Sequence, residues 1–188
     1  MSPRHACMVL SLAALLGLGG CAATPASAPM VPTYDQALAH PFIKANRDAA
    51  RALVVGLPPL DIGPVLVATV VDVNDLRVSS PLGRTLSEQY ASAIAAAGVD
   101  VREMKLRGEV FVREQTGELL LSREIKDIAH SHHARSVLVG TYSVAGNVVY
   151  ISIKLVRTDT SQILRGYDYA LPLDAEVKRL VRRPGAEL

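Results

Sequence analysis

The run "VLVATVVDV", from Val65 to Val73, is apolar at nearly every position and rich in β-branched side chains. Such residues fit a pleated strand better than a helix, and a strand without polar alternation has no face to give to water. It must be covered on both sides, so the rest of the chain has to supply packing layers above and below it. At 188 residues and 49% hydrophobic, the chain is long enough to build one such core.

The first cover follows directly. In the stretch from Ser80 to Gly98, Ser80 suits a helix cap, Pro81 the first helical position and Gly98 the position just past the end. Leu82, Leu86, Tyr90, Ala93, Ile94 and Ala97 recur at helical spacing, which predicts that this side lies on the sheet. "VDVREMKL" predicts a second strand, and "EVFVREQTGELLL" two short strands joined around Gly117. A second helix is expected from a Ser122 cap, with Ile125, Ile128 and Ala129 inward, ending near Ala134.

From Ser136 to Leu173 the pattern predicts three strands, with turns at Ala145–Asn147 and Asp159–Gln162. Val149, Ile151, Ile153 and Leu155 alternate with Val148, Tyr150, Ser152 and Lys154, so one set faces the core and the other is wet. Upstream, Ile43, Ala49, Leu53 and Val54 form a helical stripe within Tyr34–Leu57, with Pro41 near its start and "GLPP" at its end. The expected fold class is α/β of the α+β kind: a single mixed β-sheet in the order β-α-β-ββ-α-βββ. Two main helices pack on it, and an N-terminal helix is added.

The amino end has another character. "MSPRHACMVLSLAALLGLGGC" places Arg4 before an apolar run from Met8 to Leu18, shorter than the roughly 20 residues a spanning helix needs. It predicts an export signal over residues 1–20. "LGGC", ending at Cys21, resembles the bacterial lipobox, in which cleavage precedes the cysteine and its sulfur is lipidated. Residues 21–33, with "AATPASAPMVPT", then read as the lipidated cysteine and a tether with little to bury. Cys7 falls within the signal, so the mature chain would hold no partner for a Cys21 disulfide. Ala22 and Ala23 resemble the sorting pattern for the outer membrane. The remaining expected divisions are a helix over 34–58, a domain over 59–173, and a basic tail over 174–188 that is solvated around Lys178, Arg179, Arg182 and Arg183.

An aromatic content of 4%, no Trp and a net charge of +2 argue against a nucleic-acid partner. Asp72 and Asp75 follow a strand's carboxyl end, where open α/β sheets often bind ligands, and Arg77 and Arg84 could hold an anion or a partner nearby. Pro81 removes an amide from that place, and neither dinucleotide-loop glycines nor a P-loop ending is present, so a capped helix with surface charges is the simpler reading. Asp127, His130 and His133 recur every three residues and could share a helix face as zinc ligands, although helix-end histidines also suit the dipole. Ser79, Ser80, Ser122 and Ser131 lack a nucleophile-elbow motif. No enzyme activity, cofactor or small-molecule substrate is expected.

The blocks "LVATVVDVNDL", "SSPLGRTLSEQ", "LLLSREIKDIA", "SVLVGTYSVAGNVVYISIKLVR" and "YDYALPL", in this order and spacing from about Val65 to Leu173, resemble the FlgO family of flagellar outer-membrane lipoproteins. The resemblance implies a lipid-anchored outer-membrane protein that supports the flagellum and motility, without catalysis. Its partners would be other basal-body or outer-membrane proteins. An alternative keeps the anchor and has the module dock onto an envelope secretion or cell-wall synthesis machine.

Overall fold

The structure, a computed structural model, describes residues 31–76, 79–103 and 123–182. The chain divides into two compact units, Met1–Pro32 and Thr33–Leu188, and the elements lie in the second. They are helices α1 (Tyr34–Leu38), α2 (Pro41–Val54) and α3 (Pro59–Ile62), strands β1 (Val65–Val67) and β2 (Val71–Asp72), helix α4 (Pro81–Ala96), strand β3 (Val101–Glu103) and helix α5 (Arg123–Ser131). Strands β4 (Ser136–Ala145), β5 (Val148–Arg157) and β6 (Ile163–Pro172) and helix α6 (Ala175–Val181) complete the order.

The strands form one mixed sheet, β3-β1-β4-β5-β6, with β2 also on β4. β1 runs parallel to β3 and β4, whereas β4, β5 and β6 form an antiparallel meander. The mixed α+β sheet expected from the residue pattern is therefore the fold. Leu53 of α2, Leu86, Tyr90 and Ile94 of α4, and Val177 of α6 share the larger core with Val65, Leu138, Ile151, Ile153 and Leu171 of the sheet. A smaller core on the opposite face joins Leu66, Val137, Val139 and Val156 to Ala129 of α5. Successive residues of β1 thus enter both cores, which is why the sequence there shows no polar alternation. Each such side chain contributes about 1.5–3 kcal/mol of burial.

The expected strand over Val65–Val73 is interrupted between β1 and β2. The Ser87 hydroxyl accepts the Val70 N–H at 2.9 Å and lies 3.1 Å from the Ala68 carbonyl oxygen, replacing ladder bonds with contacts to α4. The expected helix over Tyr34–Leu57 is also divided. A Thr33–Gln36 capping box starts α1, the chain breaks at Ala39 and His40, and Pro41 opens α2 with His40 Nδ1 accepting the Phe42 N–H. Proline fits a first turn but not a helix interior, so a new helix begins there.

Ser80 caps α4 by accepting the Gly83 N–H at 3.0 Å, and Gly98 follows in the left-handed region at φ +84°. The inward side holds from Leu82 to Ile94. Ala97 is exposed, because it is already the cap and lies beyond the last buried turn. Helix α5 stops at Ser131, short of Ala134. Residues 174–181, expected to be solvated, instead form a docked helix. Asp174 accepts the N–H groups of Glu176 and Val177, Val177 is buried, and Leu180 and Val181 pack on the core, while Lys178, Arg179 and Arg182 stay exposed. The strand beyond Glu103, the hairpin around Gly117, the Ser122 cap and the Ile125 side chain lie outside the described residues.

A buried polar chain ties α2, α4 and β6 together. The Tyr90 hydroxyl lies 2.5 Å from that of Tyr169, which donates to Asn46 Oδ1, and Asn46 Nδ2 donates to Gln89 Oε1 at 2.6 Å. Burial pushes both phenols well above the ordinary tyrosine range, so each stays a neutral donor. Tyr169→Phe should cost about 1–3 kcal/mol, because it leaves the Asn46 carbonyl oxygen and the Tyr90 hydroxyl buried without their partner. A urea midpoint shift at constant slope would show it; an unchanged midpoint would mean the chain contributes no stability.

Candidate functional site

The turn after β2 uses much of its charge on itself. Asp72 Oδ1 accepts the Asn74 N–H at 2.8 Å and Asn74 Nδ2 at 3.1 Å, and the Asp75 N–H donates to the Asp72 carbonyl oxygen at 3.1 Å. This is an aspartate-initiated turn. Arg84 reaches back from the first turns of α4, and its Nη1 donates to the Ser79 carbonyl oxygen at 3.3 Å and hydroxyl at 3.0 Å. Ser80 is buried, its hydroxyl receiving both the Gly83 N–H and the Tyr142 hydroxyl, the latter at 2.8 Å. With the Gly83 N–H committed and Pro81 lacking one, the helix start offers a poor anion cradle. Asp75 is half-buried, and Arg77 lies outside the described residues.

Beside this turn a shallow groove of about 460 Å³ crosses the open part of the sheet, with Val73, Thr141, Ser143, Tyr150, Ser152 and Asp168 on its walls. Pairing places Thr141 beside Ser152 and Asp168, and Ser143 beside Tyr150 and Ala170. Helix α5 covers the other end of this face, so Tyr150 and Val73 stay 54% and 50% exposed. The turn and the groove form one continuous polar and apolar surface.

The histidine cluster does not form the face that its spacing suggests. Asp127 and His130 lie on α5, but the helix ends at Ser131, and His133 falls beyond it at φ +51°. The Ala134 N–H donates to the Ala129 carbonyl oxygen at 2.8 Å and the His133 N–H to that of His130 at 3.0 Å, the pattern of a Schellman termination. Glycine usually occupies the left-handed position, and a side chain there costs about 1 kcal/mol. Among the described residues no three His, Cys, Asp or Glu side chains gather in a way that could hold a metal ion.

His130 and His133 instead line a cavity of about 440 Å³ with Arg135, Arg157, Thr158 and Asp159. Sequence reasoning missed the arginines because they are far apart in the chain. The β4–β5 hairpin brings them together by pairing Ser136 with Arg157. Counting outward from the Ala145–Asn147 turn would have found that register. The candidate serines have local roles: Ser131 Oγ donates to the Ile128 carbonyl oxygen at 2.7 Å, Ser79 receives Arg84, Ser80 caps α4, and Ser122 lies outside the described residues.

Among the described residues, fold and surfaces define a small single-sheet α+β module, with α2, α4 and α6 packed on one face and α5 on part of the other. The chain belongs to the FlgO family: the family model, described as "FlgO protein", matches residues 47–176. The match opens inside α2 and closes inside α6, so it takes in the helices at both ends of the sheet. A search of curated proteins finds no match.

Among solved structures, the chain is similar to the LpoB C-terminal domain from Salmonella enterica, at 18% identity over 71% of this chain and 99% of that one, with a TM-score of 0.48. The same domain from Escherichia coli gives 18%, 70%, 98% and 0.48. The PelC dodecamer from Paraburkholderia phytofirmans gives 17%, 61%, 75% and 0.39. At these values the likeness is general. Among the described residues no helix is long and apolar enough to cross a membrane.

Proposed function

We propose that this chain is an outer-membrane lipoprotein, held by lipid on Cys21, whose domain is a non-catalytic interaction module supporting flagellar assembly or stability and motility. Membership of the FlgO family carries this reading, and "LGGC" at the end of an export signal supports the anchor. Residues 1–20 would be removed, and residues 21–33 would give a tether of up to about 40 Å when extended. Residues 59–173, with the helices that flank them, would form the working module. Its partner would be a protein of the flagellar base or outer membrane.

The contact surface is proposed at Asp72, Asp75, Arg77 and Arg84 together with the adjoining groove. Exposed Val73 and Tyr150 offer apolar anchors, and the charges around them offer a polar rim, as protein interfaces require. The test is a deletion strain of the native host. Swimming halos should shrink and filaments be lost or detach, with recovery on expression of the full chain. Normal halos and intact filaments in the deletion strain would end the flagellar reading.

A further inference from the structure

We propose that the cavity between the end of α5 and the β4–β5 strand ends is a binding site for a phosphate-type oxyanion. The site lies away from the proposed partner surface: Arg157 is seven positions along β5 from Tyr150, about 23 Å of strand. Among the described residues its walls carry Arg135, Arg157, His130, His133, Thr158 and the carboxylate of Asp159.

The arginines are positioned but not neutralised. Arg135 Nη1 donates to the Leu60 carbonyl oxygen at 2.5 Å, and Arg157 Nη1 reaches the Asp61 carbonyl oxygen at 3.5 Å, so α3 steadies both. A guanidinium has five N–H donors, so most of each fork remains available. Neither arginine forms an ion pair within 4.0 Å with a carboxylate among the described residues. Asp159 Oδ1 is turned to its own loop, accepting the Thr160 N–H at 2.6 Å. The Thr158 hydroxyl is engaged by the Ala134 and Arg135 carbonyl oxygens and closes the floor.

His133 stands just past the end of α5. The Schellman turn needs a left-handed residue there, which glycine would satisfy, yet the chain holds an imidazole at φ +51° on the cavity wall. Its ring adds a second imidazole to the wall beside that of His130. Two guanidinium forks and two imidazoles suit a tetrahedral oxyanion, since arginine matches phosphate geometry with paired bonds. The phosphate could be free or the headgroup of an anionic lipid.

The test uses the full chain in a non-ionic detergent, titrated separately with inorganic phosphate, dihexanoyl-phosphatidic acid and acetate while histidine ring signals are followed by NMR. Signals of His130 and His133 should shift saturably with a phosphate probe. His40, which lies instead near Asp174 and Glu176, should not move. Tighter binding of the short-chain lipid assigns the site to a headgroup, and tighter binding of inorganic phosphate to the free ion; either supports the proposal.

Arg135→Gln with Arg157→Gln should weaken binding about tenfold or more. Because those residues also steady α3, His133→Gly is the decisive variant: its backbone suits the turn, so the fold should be kept while affinity drops several-fold. No saturable shift in the native chain, acetate binding as tight as phosphate, or unchanged affinity in folded His133→Gly would each overturn the site.

Discussion

Cys21→Ser is expected to abolish incorporation of labelled palmitate and remove the protein from the outer-membrane fraction. The effect should be close to complete, because each acyl methylene buried in the bilayer contributes about 0.8 kcal/mol and one chain alone binds only reversibly. Several chains on one cysteine make release negligible, and a serine oxygen cannot replace the thioether. Among the described residues no helix is long and apolar enough to cross a membrane. Equal labelling and fractionation of the two forms, or a native chain that takes up no label, would remove the lipoprotein reading.

Gly83→Ala is expected to destabilise the domain by about 3 kcal/mol, at the upper end of what overpacking costs. A Cβ at Gly83 would stand 1.9 Å from the Val70 carbonyl oxygen and 3.0 Å from its carbon. Val70 has no room to retreat: its side chain is fully buried and its N–H is held by Ser87. Relief therefore requires α4 to lift from the sheet, weakening the packing of Leu82, Leu86 and Tyr90 together. The control is Gly98→Ala, where nothing lies within 4 Å and only φ +84° opposes a side chain, for about 1 kcal/mol. Urea midpoints separate the two, and a Gly83→Ala domain within about 0.5 kcal/mol of the native one would show that the close approach is not a constraint.

The same pair of residues shows how far local reading goes. Ser80, Pro81 and Gly98 mark both ends of α4 because caps act through neighbouring amides and backbone angles. Gly83 looks like a mildly unfavourable helical residue in sequence. Only contact with Val70 reveals why a side chain cannot be there. The candidate turn divides in a similar way. Asp72 and Asn74 form a turn readable from composition, whereas the reach of Arg84 to Ser79 depends on how α4 leaves the strand.

By itself the sequence determined the family blocks and the alternation that turns Ile151, Ile153 and Leu155 inward. These are properties of short segments, where side-chain period, capping chemistry and motif suffice. Tertiary structure alone decided the break of the first strand by Ser87, the docking of α6 through Val177, and the meeting of Arg135 and Arg157 beside His133. Each depends on residues distant in the chain, and no local pattern carries the free energy of a contact that exists only after the sheet has closed.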